Sequence, residues 1–165
     1  VFAMGDTDDS AAAISFRRAS ALDLDAIVDL RIEFERITRD SPSADWADRR
    51  AELGRLLGRD LRSGSLAVWL AESGESAVAQ AALRMRGRSE GELLNVYTRG
   101  RFRGRGVATA LVELALAQAR AVGLARVRLQ PTEDSHRIYL KAGFADDDRE
   151  MVLELRRRES TANPG

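Results

Sequence analysis

Ten residues in the second half of the chain, Arg99-Gly100-Arg101-Phe102-Arg103-Gly104-Arg105-Gly106-Val107-Ala108, mix glycine and arginine between two regular patterns. The apolar run from Leu93 to Thr98 precedes them and predicts a strand, and apolar residues at helical spacing begin at Val107. Glycine lets the backbone approach a ligand closely. The first turn of a helix leaves N–H groups without partners and carries a partial positive charge. The segment therefore predicts a site for phosphate or pyrophosphate, with the Thr109 hydroxyl in the same turn.

Two common phosphate-binding loops do not fit these residues. The P-loop ends in Gly-Lys-Ser/Thr, and this segment contains no lysine. The dinucleotide-binding fingerprint has a third glycine three positions after Gly106, where Thr109 stands, and belongs to an early strand–helix–strand unit. This loop instead follows three predicted strands, so neither type of nucleotide-binding loop is expected.

The residues at the start of the chain predict one strand and two helices. Residues 14–18 alternate in polarity, which is typical of a strand. Residues 20–23 have the pattern of a capping box, and apolar residues within 22–37 recur at helical spacing behind it. A second helix is expected at 46–61, and Gly64 is expected to end it.

Three strands joined by short turns are expected next. The apolar runs are Leu66–Ala71, Ala77–Met85 and Leu93–Thr98. Gly74-Glu75 and the segment Gly87–Gly91 are predicted as the turns between them. Such short connections favour an antiparallel meander.

The remaining residues predict a parallel crossover followed by a hairpin. A long helix is expected from 107 to its stop at Gly123, and a strand at 126–130. Strand, helix and strand in that order imply a right-handed parallel crossover. A short helix at 135–142 and a hairpin at 144–156 complete the chain.

Together these patterns predict a single α+β domain: a mixed, mostly antiparallel sheet flanked by helices. We place this domain at residues 13–158. Residues 1–12 are predicted to be a disordered N-terminal tail, and residues 159–165 a C-terminal tail.

Composition excludes several classes of function. The chain has no cysteine and one histidine, so disulfides, thiolate nucleophiles and a Cys- or His-rich metal site are excluded, and we expect no metal. The charges of the 26 basic and 26 acidic side chains cancel, which argues against a protein dedicated to binding nucleic acid. No apolar run is long enough to span a membrane. Residues 1–10 lack the apolar segment of a signal peptide, which predicts a cytoplasmic protein.

The loop resembles the acyl-CoA-binding motif of the GCN5-related N-acetyltransferase (GNAT) superfamily, Gln/Arg-x-x-Gly-x-Gly/Ala, at Arg103-Gly104-Arg105-Gly106-Val107-Ala108. The segment Leu94–Thr98 is similar to that family's fourth strand. Tyr139–Phe144 is similar to its Leu-Tyr-x-Lys-x-Gly-Phe segment, with Ile138 in the leucine position. The order of elements also matches from about residue 14 to residue 156. The chain departs from the family at Gly100, where many members have proline, and at Ser135, where many have glycine or asparagine.

The resemblance implies a fold, a cosubstrate and roles for particular residues. The expected fold is the GNAT-like acyl-CoA N-acyltransferase fold, in which the fourth strand is bulged and splays from the fifth. The loop would hold the pyrophosphate of acetyl-CoA, and the fourth strand would pair with the pantetheine arm. Tyr139 matches the tyrosine that protonates the departing CoA thiolate. The residues expected to bind the cosubstrate are Val96, Tyr97, Thr98, Arg103, Gly104, Arg105, Gly106, Val107, Ala108, Thr109 and Ser135.

A base for the amine is the least determined role. Glu92 is the first candidate, followed by Glu90 and Glu33. Each functional assignment has a structural alternative: the loop arginines as a solvated turn, Tyr139 as a packing residue, and Glu92 as a surface carboxylate. His136 is expected at the surface, and Trp46 and Trp69 in the core.

The sequence therefore predicts an N-acetyltransferase that moves an acetyl group from acetyl-CoA to a primary amine by direct attack in a ternary complex. Two alternatives stay open: a catalytically inactive CoA-binding regulatory module, and an acetyltransferase for an RNA-linked amine such as aminoacyl-tRNA. The expected partner is a small-molecule or peptide amine. A homodimer is compatible with the resemblance.

Overall fold

The computed structural model describes residues 12–39 and 45–155. In this part of the chain there are seven strands and four α-helices: β1 (Ile14–Arg18), α1 (Leu24–Thr38), α2 (Trp46–Ser63), β2 (Leu66–Ser73), β3 (Ser76–Arg86), β4 (Glu90–Thr98), α3 (Val107–Ala121), β5 (Arg126–Leu129), α4 (His136–Lys141), β6 (Ala145–Asp147) and β7 (Glu150–Glu154). Each predicted helix and strand is present in the predicted order. The predicted tails lie outside the described residues, except residue 12, as do residues 156–158 of the predicted domain.

Local signals define the ends of the first two helices. The capping box is confirmed: Ser20 and Asp23 bond to each other's backbone, and the short 3₁₀ turn they enclose continues into α1. Asp45 accepts hydrogen bonds from two backbone N–H groups at the start of α2. Gly64 ends α2 in the left-handed region, at φ 77°, where glycine carries no side-chain clash.

The strands form one mixed sheet. Their order is β1-β2-β3-β4-β5-β7-β6, and β4–β5 is the parallel pair among antiparallel neighbours. The predicted turn at 87–91 is too long, since Gly91 lies in β4 opposite Met85. A Cβ at Gly91 would lie 2.8 Å from Leu124 and 2.9 Å from Leu83. This glycine therefore serves close packing within the sheet and not a turn.

Helices cover both faces of the sheet. One face packs against α3 in a core that includes Leu83, Leu111 and Leu129. The other packs against α1 and α2, around residues such as Leu30 and Leu70. Burial of one such leucine side chain contributes about 2 kcal/mol to folding. The two cores hold the helices against the sheet. The site is formed where the middle strands β4 and β5 separate.

Strands β4 and β5 diverge after a short paired segment. The parallel register covers only Glu90, Gly91 and Glu92 of β4, opposite Arg126, Val127 and Arg128 of β5. The rest of β4, from residue 93 to residue 98, has no partner on β5. The divergence opens a gap in the sheet, as the resemblance implied.

A bulge in β4 lies beside this gap. Ala82 pairs with Leu94 and Gln80 pairs with Tyr97, so two residues of β4 stand opposite one of β3. Asn95 occupies the bulge at φ 55°, a left-handed conformation that asparagine tolerates better than most residues. The bulge turns the following residues, 96–98, into the gap.

A buried carboxylate connects α1, α2 and the bulge. Glu35 on α1 is 1% exposed. It accepts hydrogen bonds from Arg49 Nη2 at 2.6 Å and from Arg31 Nε at 2.9 Å. Arg31 also donates through Nη1 to the side-chain oxygen of Asn95. Burial alone would raise the pKa of Glu35, but the hydrogen bond from Arg49 and the charge of Arg31 outweigh it, and the pKa lies below its usual value.

We expect Glu35→Gln to lower the free energy of unfolding by about 3 kcal/mol, because it removes the anion of Arg31 and leaves Arg49 with only the exposed carboxylate of Glu52. Urea unfolding at pH 7 measures this. Because the folded-state pKa of Glu35 is lowered, its contribution is full above the ordinary glutamate pKa and is lost as the pH falls through the folded-state value. The difference between wild type and variant should therefore shrink in acid.

The matched control is Glu52→Gln. Glu52 also accepts a hydrogen bond from Arg49, at 2.8 Å, but its side chain is 50% exposed. Its loss should cost less than about 1 kcal/mol. Equal effects of the two substitutions would show that Glu35 has no special structural role.

Candidate active site

Two adjoining cavities open at the gap between β4 and β5. The first has a volume of about 640 Å³ and lies between the end of α1, the last residues of β4, the loop before α3 and the start of α4. The second, about 420 Å³, lies between α1, β3, β4 and the residues that follow β5. Both are lined by Phe34, Thr38, Val96, Thr132 and Ser135. They therefore form two halves of one site that share a wall.

The loop before α3 forms an anion-binding wall of the first cavity. Gly104 and Gly106 both have φ 74°, and an added Cβ at either would meet nothing within 4 Å. No described side chain caps α3, so the N–H groups of its first turn lack that partner. Open space, backbone donors and the helix dipole coincide here, which is the arrangement that binds phosphate.

Thr98, at the end of β4, lines the first cavity and has a buried hydroxyl without a partner among the described residues. The residue is 7% exposed, and its Oγ1 has no hydrogen-bond partner among the described residues. A buried hydroxyl without a partner is unusual in a native protein. Arg103 donates from Nε to the Thr98 carbonyl oxygen at 3.0 Å, which connects the loop to the end of β4.

The structure brings ten of the eleven residues predicted to bind the cosubstrate to the first cavity. The exception is Arg105, whose guanidinium lies 5.8 Å from the centre of the Phe102 ring. Their role in binding stays a prediction. The ten are Val96, Tyr97, Thr98, Arg103, Gly104, Gly106, Val107, Ala108, Thr109 and Ser135.

Tyr139 reaches the site from α4. It is 5% exposed, lines the second cavity, and packs edge-on against Phe144 with 5.9 Å between ring centres. Burial raises the pKa of Tyr139 to about 12, against a smaller opposing effect of a hydrogen bond with Ser135. The phenol is therefore protonated at neutral pH and able to donate. Packing and donation are compatible roles for this ring.

Of the three candidate bases, Glu92 is the one that lines a described cavity, the second. Arg86 donates to it from Nε at 2.8 Å. Glu90 instead forms ion pairs with Arg126 at 3.4 Å and Arg128 at 3.7 Å. These contacts place Glu90 at the β4–β5 junction, outside both cavities.

Glu33 pairs with Arg99 at the start of the loop and lies away from both cavities. Arg99 donates to it from Nε at 2.9 Å and from Nη2 at 2.6 Å. Glu33 lines neither cavity, although its charge, after burial, helps to raise the pKa of Tyr97. Its evident role is to anchor the start of the loop on α1.

The remaining expectations about individual side chains are confirmed. Trp69 is 6% exposed in the core, and Trp46 packs partly buried against the α1–α2 core. His136 begins α4 at the surface, where its Nε2 lies 2.6 Å from a carboxylate oxygen of Asp146.

Sequence reasoning missed most of the second cavity. Its wall includes Arg31, Arg84 and Gln130, which belong to no recognisable motif, and Asn95, which the sequence assigned only to the fourth strand. Asn95 left one signal, as a polar residue inside an apolar strand segment. The two arginines come from α1 and β3, and only the folded structure places them beside β4.

Among the described residues, no helix is both long and apolar enough to cross a membrane.

Solved structures share this architecture. A predicted acetyltransferase from Clostridium acetobutylicum, solved with acetyl-CoA, is 25% identical, with a TM-score of 0.75 over 87% of this chain and 96% of that one. A GCN5-related N-acetyltransferase from Ralstonia eutropha JMP134 is 23% identical, with a TM-score of 0.74 over 82% and 95%. The PaiA N-acetyltransferase from Thermoplasma acidophilum, in complex with coenzyme A, is 18% identical, with a TM-score of 0.68 over 88% and 99%.

No curated protein sequence matches the chain. The family model described as "Acetyltransferase (GNAT) family" matches residues 28–144, which run from α1 through the loop and α4 to the start of the final hairpin. The splayed strands, the glycine loop at α3 and this match agree, and the chain belongs to the GNAT acetyltransferase family.

Proposed function

We propose that this protein is an N-acetyltransferase that transfers an acetyl group from acetyl-CoA to a primary amine. Both substrates bind together in the cytoplasm, and the amine is a small molecule or a peptide. The observation that carries the proposal is the wall of the first cavity, where an uncapped helix, two open glycines and the free part of β4 meet. The structural relatives with acetyl-CoA and coenzyme A support it.

The residues of the first cavity fit coenzyme A. The N–H groups of residues 104–108 would hold the pyrophosphate, since they combine a glycine turn with a helix start. The backbone of residues 96–98, which has no β5 partner, would pair with the amides of the pantetheine arm. Acetyl-CoA, once bound, supplies an activated acetyl thioester.

The acceptor must lose a proton before it attacks. An alkylamine with a pKa near ~10.4 is neutral in about one molecule in a thousand at pH 7.4. In the transfer, the amine nitrogen bonds to the acetyl carbon, the carbon–sulfur bond breaks, the amine gives up a proton and the sulfur takes one. With no cysteine in the chain to carry an acetyl group, direct transfer is the simplest route.

Two side chains at the second cavity suit these proton transfers. Tyr139 is buried and protonated, so its hydroxyl can donate to the departing sulfur. Glu92 can accept the proton of the amine, directly or through water. Arg86 donates to Glu92 from Nε at 2.8 Å and so holds its carboxylate in a defined position.

Gly106→Glu should weaken acetyl-CoA binding at least about tenfold, because a carboxylate would occupy the open space beside the helix start and repel the pyrophosphate. Calorimetric titration with acetyl-CoA, CoA and ATP measures this; wild type should bind both CoA species and not ATP. Gly74→Glu is the matched control, because Gly74 also has positive φ and open space but lies in the β2–β3 turn. It should bind like wild type.

Failure of folded wild-type protein to bind acetyl-CoA would make the loop a basic turn and remove the proposal. Normal binding by Gly106→Glu would remove the loop from the binding site. Saturable CoA binding without transfer to any amine would instead identify an inactive CoA-binding module.

Tyr139→Phe should lower kcat by about 10²-fold and leave the affinity for acetyl-CoA unchanged, because only the proton donor is removed. In wild type, the pKa of about 12 keeps the phenol protonated, so kcat should not fall from Tyr139 ionisation at any pH up to ~10. Steady-state rates across pH, with thermal unfolding to check the fold, test both statements. An unchanged kcat would leave Tyr139 with a packing role only.

Glu92→Gln should lower kcat/KM by about 10²-fold at pH 7 and progressively less as the pH approaches ~10, where the amine is already neutral. The measurement is the pH dependence of kcat/KM. Glu90→Gln is the matched control, since Glu90 lies two residues away on β4 and its carboxylate pairs with β5. A pH-independent loss, or an equal loss in both variants, would contradict a base role for Glu92.

A further inference from the structure

The lining of the second cavity carries more basic than acidic side chains. The cavity lies between α1, β3 and β4, and Arg31 and Arg84 both line it. Glu92 is the one acidic side chain on its described wall, and Arg86 already donates two hydrogen bonds to it. A plain cationic amine, and still more a polyamine, would enter against this charge. The cavity therefore favours a molecule that brings an anionic group of its own.

Arg31 is held in place with donor capacity to spare. Its Nε bonds Glu35 and its Nη1 bonds Asn95, and no described residue accepts a hydrogen bond from its Nη2. These two contacts fix the plane of the guanidinium at the cavity wall. A guanidinium that is already oriented loses little entropy when it binds a ligand.

Arg84 is less satisfied. Its one ion pair joins Nη2 to Asp60 Oδ2 at 3.6 Å, and no described residue accepts a hydrogen bond from its guanidinium. Asp60 lies closer to Arg59, at 3.0 Å. The Arg84 side chain is 29% exposed, so it is partly removed from water without a full set of partners. An incoming carboxylate would complete it in the bidentate geometry that arginine prefers.

Arg84 and Glu92 are neighbours in the sheet, so one ligand can contact both side chains. Arg84 and Glu92 are directly opposite each other on β3 and β4, in register. Side chains at such positions begin about 5 Å apart. One small ligand can therefore reach both side chains, with its amine near Glu92 and a carboxylate near Arg84. The cavity volume of about 420 Å³ accommodates a molecule of amino-acid size.

We propose that the acceptor is an amine that carries a carboxylate next to it, a free α-amino acid, with Arg84 and Arg31 binding the carboxylate in the second cavity. This inference rests on the proposed N-acetyltransferase function and names its substrate class. It separates a free amino acid from the N-terminus of a peptide, whose corresponding carbonyl is an uncharged amide.

The test compares each standard amino acid with its own carboxamide and its decarboxylated amine as acceptors for acetyl-CoA, by the rate of CoA thiol release. At least one amino acid should have a kcat/KM about tenfold or more above its amide, the factor expected for a charge-assisted hydrogen bond. Arg84→Gln should bring that ratio close to one. Arg88→Gln is the matched control, since Arg88 is exposed in the β3–β4 turn and lines neither cavity; it should keep the ratio.

Titration with acetyl-CoA on the same samples separates the two proposals. If the wild-type protein did not bind acetyl-CoA, the N-acetyltransferase function itself would be overturned. With acetyl-CoA bound, equal or faster transfer to amides or plain amines would overturn the carboxylate site and leave the function standing. The carboxylate site would also be overturned if no amino acid in the panel were acetylated. The same holds if Arg84→Gln left the ratio of amino acid to amide unchanged.

Discussion

The site depends on the bulge that Asn95 creates in β4. A regular β4 would stay paired with β3 and run on beside β5, and the sheet would have no gap. Beside the bulge, β4 leaves β5 after Glu92, and residues 96–98 have no partner strand on the β5 side. The left-handed backbone of Asn95 has an energetic cost. The hydrogen bond from Arg31 to its side chain offsets part of that cost.

The same hydrogen bond joins the site to the stability of the fold. Arg31 is oriented by Glu35, and Glu35 is held by Arg49 on α2. A carboxylate buried to this degree persists only with its cations in place. The helices α1 and α2 are thus more than a cover for the sheet, because their buried charges fix the shape of β4 and one wall of the second cavity.

Local patterns explain how much was predictable. The capping box at Ser20, the glycine at the end of α2 and the loop before α3 are signals within a few residues, and all lie where the sequence indicated. Gly91 could not be interpreted in this way. A glycine is needed there because Leu124 and Leu83 leave no room for a side chain, and no local pattern reveals these contacts. Arg31 and Asn95 are 64 residues apart, so their contact, like the Glu35 network, exists only in the folded chain.

The first cavity was predictable and most of the second was not, because backbone groups form the one and side chains form the other. The first cavity is built from backbone N–H groups, whose positions need glycine at fixed spacing, and so its motif is visible in one stretch of sequence. The second cavity is built from side chains on α1, β3 and β4, where the secondary structure tolerates many residue types at most positions. Under the proposed function, the acceptor would be selected by residues such as Arg84, which can change without disturbing the loop.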